Sequence, residues 1–343
     1  MDQIGMDVHR EQSQFCTQDA EGGVREQRRI RTRPEVLSEV FAGRPRARIL
    51  LEASTESEWV ARCLESLGHE VIIADPNFAA MYATRSRRVK TDLRDAHTLA
   101  DACRLGAYRP AHRVSDAQRE VRAELAGREV LVRTRTRLIG LMRALLRGQG
   151  LRVSAGGAEA FERRLARVDL TAWLVPVLGP LRRTLAVVNA EVLQADRALA
   201  RRAAADVRAQ RLMSVPGVGP VTALAFVATL DQAGRFDDAR QVASYLGLVP
   251  REDSSGERQH RGRITKAGNH RMRWLLVEAA WVVMRSKDPA AESLRAWCAQ
   301  VALRRGRRLA IVGLARRLAR VMYAMWRDAT VFGQLHEDRR ASV

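Results

Sequence analysis

The order of apolar runs and helical patterns in the first hundred residues limits the folds open to this chain more than any other feature. Three strand-like runs come first, with Gly22-Gly23 as a turn between the second and third. Helix and strand patterns then alternate, punctuated by Pro34 at a helix start, Gly68 at a helix end and Pro76 after a strand. The sequence predicts strands at residues 4–8, 14–17, 24–30, 47–51 and 70–74, and helices at 34–41 and 57–67.

With a further helix after the last strand, this order is β-β-β-α-β-α-β-α, which is that of a ribonuclease-H-like domain. In such a sheet the first and fourth strands are neighbours. The first hundred residues therefore predict an α/β domain in which these two strands lie side by side.

The rest of the chain reads as helical. Arginine-rich helices are predicted at residues 117–146 and 179–210, separated by a Gly- and Ser-containing stretch at 153–157, so a helical hairpin is expected. A Gly-rich turn, a polar basic loop near 251–269 and helices at 270–284 and 307–326 follow. We interpret the chain as α/β plus α: an α/β domain at 1–110, a helical coiled-coil or oligomerisation region at 111–210, and an all-helical domain at 211–343.

Charge is unevenly distributed along the chain. The net charge is +20, but residues 1–100 hold 15 basic and 16 acidic side chains, while the remainder holds 44 basic and 23 acidic. A net of −1 in one part and +21 in the other is typical of a protein in which one part handles a polyanion. Nucleic acid is the expected partner.

Length and composition exclude several classes of protein. The 343 residues suffice for two compact domains, and 46% hydrophobic with 29% charged residues is a globular balance. No apolar run reaches the ~20 residues that span a bilayer, and no signal peptide is evident, so we expect no membrane partner and a cytoplasmic, nucleoid-associated location. The cysteines are too dispersed for a zinc or disulfide framework and are expected to be buried free thiols: Cys16, Cys63, Cys103 and Cys298.

Four carboxylates are candidates for a metal site. Asp7 lies inside the first apolar strand and Glu52 at the end of the fourth, where an unpaired charge is costly. Asp92 and Asp95 are three residues apart and share one face at a helix start. If the four converge, their oxygens suit Mg²⁺, which binds phosphate oxygens as well. Separately, a strand aspartate can be structural and a D-x-x-D pair can simply complement a helix dipole.

Two segments of the C-terminal part suggest contact with nucleic acid. Residues 214–221, which include Gly217 and Gly219, look like the hairpin of a helix-hairpin-helix element that grips phosphate; a turn between packed helices is the alternative. The polar segment 251–269 contains Ser254 and Ser255, which by chemistry alone are ordinary turn residues. Its cations are predicted to contact nucleic acid: Arg258, Arg261, Arg263 and Lys266.

These motifs together resemble, over nearly the whole chain, the DEDD transposases of insertion sequences, the insertion-sequence-110 family, to which the Piv-type DNA invertases belong. The N-terminal matches are Gly5-Met6-Asp7, Leu51-Glu52-Ala53 and Lys90-Thr91-Asp92-Leu93-Arg94-Asp95-Ala96. The C-terminal matches are Pro216-Gly217-Val218-Gly219, Gly247-Leu248-Val249-Pro250, Ser255-Gly256 and Lys266-Ala267-Gly268-Asn269. The resemblance implies a RuvC-like N-terminal domain and a C-terminal transposase domain.

The resemblance also implies a mechanism. Ser255, or less in keeping with the motif Ser254, would attack DNA and form a phosphoserine link, supported by Mg²⁺ on Asp7, Glu52, Asp92 and Asp95. A site shared between subunits implies a dimer or tetramer, and a structured noncoding RNA that pairs with donor and target DNA is an implied partner. Two other hypotheses remain: a RuvC-like nuclease that directs water at DNA without a covalent intermediate, and a non-catalytic nucleic-acid-binding remnant.

Overall fold

The computed structural model describes residues 1–83, 91–255 and 258–333, without the side chains of 253–255 and 258–261. It divides the chain into two compact units, Met1–Arg113 and Val114–Val343. The division into three domains stays a prediction. The net charge is +1 for the first unit and +19 for the second.

The first unit is a five-stranded mixed sheet with helices on both faces, and its element order is as predicted. The strands are β1 (Gln3–Val8), β2 (Gln12–Gln18), β3 (Val24–Arg31), β4 (Arg48–Glu52) and β5 (Glu70–Ala74). The helices are α1 (Pro34–Phe41), α2 (Ser57–Ser66) and α3 (Asp92–Leu105). The sheet order is β3-β2-β1-β4-β5, with β1 parallel to β4 and antiparallel to β2. The predicted adjacency of the first and fourth strands is confirmed.

Alternation along the strands separates two cores in this unit. Ile4 and Met6 in β1 and Ile49 in β4 face α1 and α2, where they are buried with Phe41 and Leu64. The opposite face packs on α3. The sheet is therefore covered on both sides, and the free strand ends are left for polar groups.

The second unit begins with the predicted helical hairpin. Its two long helices, α4 (Asp116–Arg147) and α6 (Leu174–Ala205), pack against each other, with the short α5 (Phe161–Leu165) between them in sequence. The prediction of one helix over 179–210 was wrong at both ends, because α6 begins at Leu174 and stops at Ala205. Asp206 then caps a separate helix, α7 (Val207–Met213), by accepting hydrogen bonds from the backbone N–H groups of Arg208 and Ala209.

The rest of the second unit is a helical bundle that also contains a β-hairpin. The helices are α8 (Pro220–Leu230), α9 (Ala239–Tyr245), α10 (His270–Arg285), α11 (Glu292–Arg305) and α12 (Arg307–Arg327). The strands β6 (Pro250–Ser255) and β7 (Arg258–Ile264) form an antiparallel pair. The prediction of an all-helical C-terminal region with a loop near 251–269 was therefore wrong. The polar, arginine-rich strands lack the apolar alternation by which strands are recognised.

Two predicted properties concern the chain as a whole. All four cysteines are free thiols; Cys16, Cys103 and Cys298 are buried, whereas Cys63 is only half-buried. Within the described ranges, every helix is too short or too polar to span a bilayer.

Candidate carboxylate site and serine hairpin

Asp7 and Glu52 lie side by side at the end of two parallel strands. The register of β1 and β4 pairs Met6 with Leu51, so the next residue of each strand is one of these acids. Met6 and Leu51 are fully buried on the α1–α2 face. Because side chains alternate along a strand, Asp7 and Glu52 point to the opposite face, where both are half-buried.

Gly5 allows α3 to approach this face at backbone distance. A Cβ at Gly5 would lie 2.1 Å from the backbone N of Ala100 and 2.2 Å from the carbonyl O of Ala96. Contact this close requires a residue without a side chain. Gly5 and Asp7 are two residues apart on the same face, so the glycine that admits the helix also places the helix beside the aspartate.

The start of α3 supplies the other two carboxylates. Thr91 caps the helix, since its side chain accepts a 3.3 Å hydrogen bond from the backbone N–H of Arg94. Asp92 and Asp95 lie in the first helical turn, where negative charge is favoured by the helix dipole. Both side chains are half-buried.

Electrostatics show that the four carboxylates are neighbours. Burial raises the pKa of Asp7; the nearby His9 lowers it, and the charges of Asp95, Asp92 and Glu52 each raise it further. A carboxylate whose charge raises the pKa of Asp7 repels the ionised Asp7 side chain and must lie near it. The structure therefore places the four acids near one another. Asp7 and Asp92 also belong, with His9, to a group whose ligand atoms lie within 4.8 Å of one another, whereas Glu52 and Asp95 are not members of that group.

Two basic side chains at the site, His9 and Arg29, were missed by sequence reasoning. The Nε2 of His9 lies 3.2 Å from an Asp7 carboxylate oxygen and 3.8 Å from one of Asp92. Arg29 of β3 forms a 2.7 Å ion pair with Asp92. The signal for His9 was its position two residues after Asp7, directly beyond the end of β1. Arg29 has no local signal, because only the pairing of β3 with β2 and of β2 with β1 brings it near.

The donor groups suit a divalent cation. One ligand atom each from Asp7, His9 and Asp92 lie within 4.8 Å of one another. Carboxylate oxygens are the ligands that Mg²⁺ and Mn²⁺ prefer, and an imidazole is also acceptable to Mn²⁺. Beside these residues is an open cleft of about 500 Å³, lined by Val8, His9, Arg10, Ser54, Thr55 and Glu56. The residues present thus fit a divalent metal ion, and His9 belongs both to this group and to the lining of the cleft.

Ser255 is the last residue of β6, at the tip of the hairpin. The strand register pairs Ser255 with Arg258 and Ser254 with Gln259. The side chains of Ser254, Ser255, Arg258 and Arg261, and all of Gly256, lie outside the described part of the chain. Arg263 and Lys266 are exposed near the root of the hairpin.

The root of this hairpin is closely packed. Gly247 and Gly268 have φ of +65° and +68°, and a Cβ at Gly268 would lie 2.0 Å from the carbonyl O of Tyr245. The almost fully buried Arg273 donates hydrogen bonds to the carbonyl oxygens of Leu246 (3.1 Å) and Ala267. Backbone on both sides of the hairpin is therefore joined by one side chain from α10.

The two glycines of the 214–221 segment differ in their surroundings. Gly217 has φ +84°, and a Cβ there would lie 2.7 Å from the carbonyl O of Ala279 in α10, so its role in packing is evident. Gly219 is exposed, has open space around it and precedes the N-terminus of α8. Phosphate binding by this turn stays a prediction, and Gly219 is the glycine whose position suits it.

Comparison with known proteins shows that the chain belongs to the transposases. A family model described as "Transposase", for DEDD elements of the IS110 type, matches residues 4–149. A second, described as "Transposase IS116/IS110/IS902 family", matches residues 209–295. The first match contains Asp7, Glu52, Asp92 and Asp95, and the second contains Ser255.

Individual relatives agree with the family models. A probable family 20 transposase of Pseudomonas aeruginosa is 32% identical, with 85% of this chain and 87% of the relative covered. The transposase for insertion sequence element IS1111A of Coxiella burnetii is 30% identical, with 94% and 88% covered. The transposase for IS1328 of Yersinia enterocolitica is 27% identical, with 87% and 89% covered. The chain belongs to the IS116/IS110/IS902 family of transposases.

Proposed function

We propose that this transposase cuts and rejoins DNA through a covalent phosphoserine intermediate at Ser255, supported by Mg²⁺ bound at a RuvC-like carboxylate site. The observation that carries the proposal is the convergence of Asp7, Glu52, Asp92 and Asp95 beside an open cleft. The position of Ser255 in the family motif, immediately before Gly256, supports its assignment as the nucleophile.

The carboxylates would hold the metal through their oxygens, with His9 close enough to take part. A bound Mg²⁺ would neutralise charge on the reacting phosphate and stabilise the departing oxygen. In the metal-free protein, His9 and Arg29 offset part of the mutual repulsion of the carboxylates, because they contact Asp7 and Asp92. The acids can therefore stay close together before any ligand binds.

The reaction would proceed in two steps, cleavage of one DNA strand and its joining to a second DNA end. The Oγ of Ser255 loses its proton and attacks phosphorus, so that a P–Oγ bond forms while the bond from phosphorus to one deoxyribose oxygen breaks. The departing oxygen leaves as a hydroxyl after taking up a proton. A hydroxyl of a second DNA end then loses its proton and attacks phosphorus, so that a new phosphodiester bond forms while the P–Oγ bond breaks and the Oγ of Ser255 takes up a proton.

The proposal includes partners. The serine and the carboxylates belong to different units of the chain, and a dimer or tetramer in which one subunit supplies the metal and another the serine is part of the proposal. A structured noncoding RNA that selects donor and target DNA is included from the family resemblance, and the charge of +19 on the second unit is compatible with it.

The test is a denaturing gel of the full chain with Mg²⁺, labelled element-end DNA and RNA transcribed from the element's flanks. A labelled protein–DNA band is expected from the unmodified protein. It should be absent with Ser255→Ala and with Asp7→Asn, and retained with the matched control Ser254→Ala. Cleavage that persists without an adduct in Ser255→Ala would instead make the protein a metal-dependent nuclease that uses water.

A further inference from the structure

The last two long helices carry an unusual excess of positive charge. Residues 293–327, which include nearly all of α11 and the whole of α12, contain nine arginines and no aspartate or glutamate. Elsewhere in the second unit, arginines commonly lie beside acids: Arg119 pairs with Asp116, Arg182 with Glu162 and Arg202 with Glu124. Of the nine arginines, Arg327 pairs with Asp328 just beyond the segment, whereas the other eight form no ion pair within the described ranges.

Four arginines form a cluster where α9 packs against α12: Arg240, Arg316, Arg317 and Arg320. The side chain of Arg316 is half-buried, and burial lowers its pKa, as do the charges of Arg320 and Arg240. Burial likewise lowers the pKa of Arg317, and Arg320 adds to the effect. Like charges are thus held close enough to repel one another.

The cluster has little internal compensation. Over the described ranges, none of its four guanidinium groups has a carboxylate within 4 Å, and the buried Nε of Arg316 has no hydrogen-bond partner. The pKa of Asp238 is lowered chiefly by the backbone N–H of Gln241, and the N–H and charge of Arg240 and the charge of Arg320 lower it further. Its carboxylate is already engaged, because it accepts the backbone N–H groups of Arg240 and Gln241 at the start of α9.

Packing holds one of these guanidinium groups in place. The Cζ of Arg317 lies 4.9 Å from the centre of the Trp297 ring of α11. A guanidinium that stacks on an indole keeps its N–H edges available, and its planar fork matches two phosphate oxygens. The helix pair therefore presents an arginine whose orientation is fixed before an anion arrives.

We infer that the cluster of Arg240, Arg316, Arg317 and Arg320 is a docking surface for the phosphodiester backbone of DNA. Repulsion among the four guanidinium groups destabilises the folded protein. A row of phosphates carries several negative charges, so its binding would relieve this repulsion. DNA is favoured over other polyanions because the chain belongs to a family of transposases. The inference rests on the proposed action on DNA, although it does not depend on a serine intermediate.

The first test is the binding of a labelled DNA duplex by the full chain in EDTA, measured by fluorescence anisotropy over a range of salt concentrations. The triple variant Arg316→Gln, Arg317→Gln, Arg320→Gln should bind about tenfold more weakly and lower the salt slope by about 2 to 3, as expected for three lost phosphate contacts. The matched control Arg119→Gln, Arg182→Gln, Arg202→Gln removes the same charge from ion-paired positions, and it should change affinity less than about twofold.

Several outcomes would overturn the inference. Unchanged DNA affinity in the first variant, or an equal loss in both, would leave only a general effect of net charge. A loss confined to a structured RNA probe, with duplex DNA binding intact, would assign the surface to RNA. Binding is measured without metal and can be repeated in Ser255→Ala. The result therefore tests the docking surface whether or not the protein forms a phosphoserine intermediate.

A second readout separates binding from folding. Arg316→Gln removes a repelled charge and a buried Nε without a partner, so the free protein should melt at the same or a higher temperature while DNA affinity falls. Opposite effects on stability and binding are expected of a site held ready for a ligand. A lower melting temperature in Arg316→Gln would show that the arginine serves the fold, and the inference would be wrong.

Discussion

At the scale of single residues, the largest predicted loss of stability follows from a substitution at Gly5. Gly5→Ala places a methyl group 2.1 Å from the backbone of Ala100, and neither main chain can yield without displacing the sheet or α3. We expect a loss of about 3 kcal/mol in the free energy of unfolding, at the upper end of the cost of overpacking. Urea unfolding followed by circular dichroism measures it.

The matched control for this change is Gly140→Ala. Gly140 lies on the exposed side of α4 with no atom within 4 Å of its added Cβ, and alanine is favoured over glycine in a helix by about 1 kcal/mol. The control should therefore be stabilised. Equal stability of Gly5→Ala and the unmodified protein would contradict the close packing of α3.

Asp7 gives a prediction in which stability and function oppose each other. The raised pKa of Asp7 means that folding favours its protonated form, so the stability it contributes is present below its ordinary pKa and is lost as pH rises through the folded value. At pH 7 the ionised group destabilises the metal-free protein. Asp7→Asn should raise the melting temperature without metal and abolish DNA cleavage.

Added Mg²⁺ should raise the melting temperature of the unmodified protein but not that of Asp7→Asn. The control is Asp75→Asn, which removes a carboxylate whose pKa is lowered by the backbone N–H of Asn77 and by Arg109, outside the cluster. This control should retain the response to Mg²⁺. A full Mg²⁺ response in Asp7→Asn would place the metal elsewhere.

At the scale of elements, the junction of α6 and α7 depends on Asp206. Burial raises the pKa of Asp206, but the hydrogen bonds and charge of Arg208 and the capped N–H groups outweigh it, so the pKa is lowered overall. The stability it contributes is present above its ordinary pKa and is lost as pH falls through the folded value. Asp206→Ala should cost about 1 to 2 kcal/mol at pH 7, as expected for a lost helix cap.

The difference in unfolding free energy between Asp206→Ala and the unmodified protein should shrink as the pH is lowered below about 4. Asp206→Asn keeps an oxygen that can cap the helix, so it should retain part of the stability without this pH dependence. Denaturant unfolding at a series of pH values compares the three proteins. A gap between Asp206→Ala and the unmodified protein that stays constant with pH would show that the charge of Asp206 is not involved.

The elements also show what a sequence can and cannot reveal. Strands with apolar alternation and helices with Pro or Gly at their ends are predicted closely, and α1 and β5 have their predicted bounds. The hairpin at 250–264 has a largely polar sequence without apolar alternation, so the sequence pattern does not predict its strands. The break at Asp206 interrupts a continuous helical pattern, so only the cap itself reveals it.

At the scale of the whole molecule, the proposed sharing of the site between subunits predicts rescue by mixing. Asp7→Asn and Ser255→Ala should each be inactive alone, but mixed dimers would contain one site that carries both changes and one that carries neither. For random dimers, roughly a quarter of the sites would be intact. The adduct gel should recover about that fraction after the two proteins are mixed and allowed to exchange subunits.

The control for subunit mixing combines Asp7→Asn with Glu52→Gln. Both changes lie in the carboxylate cluster, so no mixture of these two proteins contains an intact set of acids. Activity from the first mixture but not the second supports a shared site. No recovery in the first mixture, with subunit exchange shown independently, would place serine and carboxylates of one active site in the same subunit.

Residues of the candidate site could be predicted where their immediate neighbours in the sequence mark them out. The four acids stood out because each interrupts a pattern, as a charge in an apolar strand or a pair at a helix start. His9 had a local signal, its position two residues after Asp7, whereas Arg29 is brought near Asp7 only by strand pairing, which joins β3 to β1 through β2. The cluster of Arg240 with Arg316 and Arg320 depends on the packing of α9 on α12, which no local pattern encodes.

The contact of Gly5 with α3 has a consequence for the substitutions that this unit can accept. The spacing between β1 and α3 at this point is set by main chain against main chain, with no side chain at Gly5 between them. Replacement of surrounding core residues can therefore accumulate while this spacing is kept, since no side-chain volume at Gly5 enters that distance. The position of Asp7 beside the start of α3 should in this way tolerate changes in the surrounding core better than a change at Gly5.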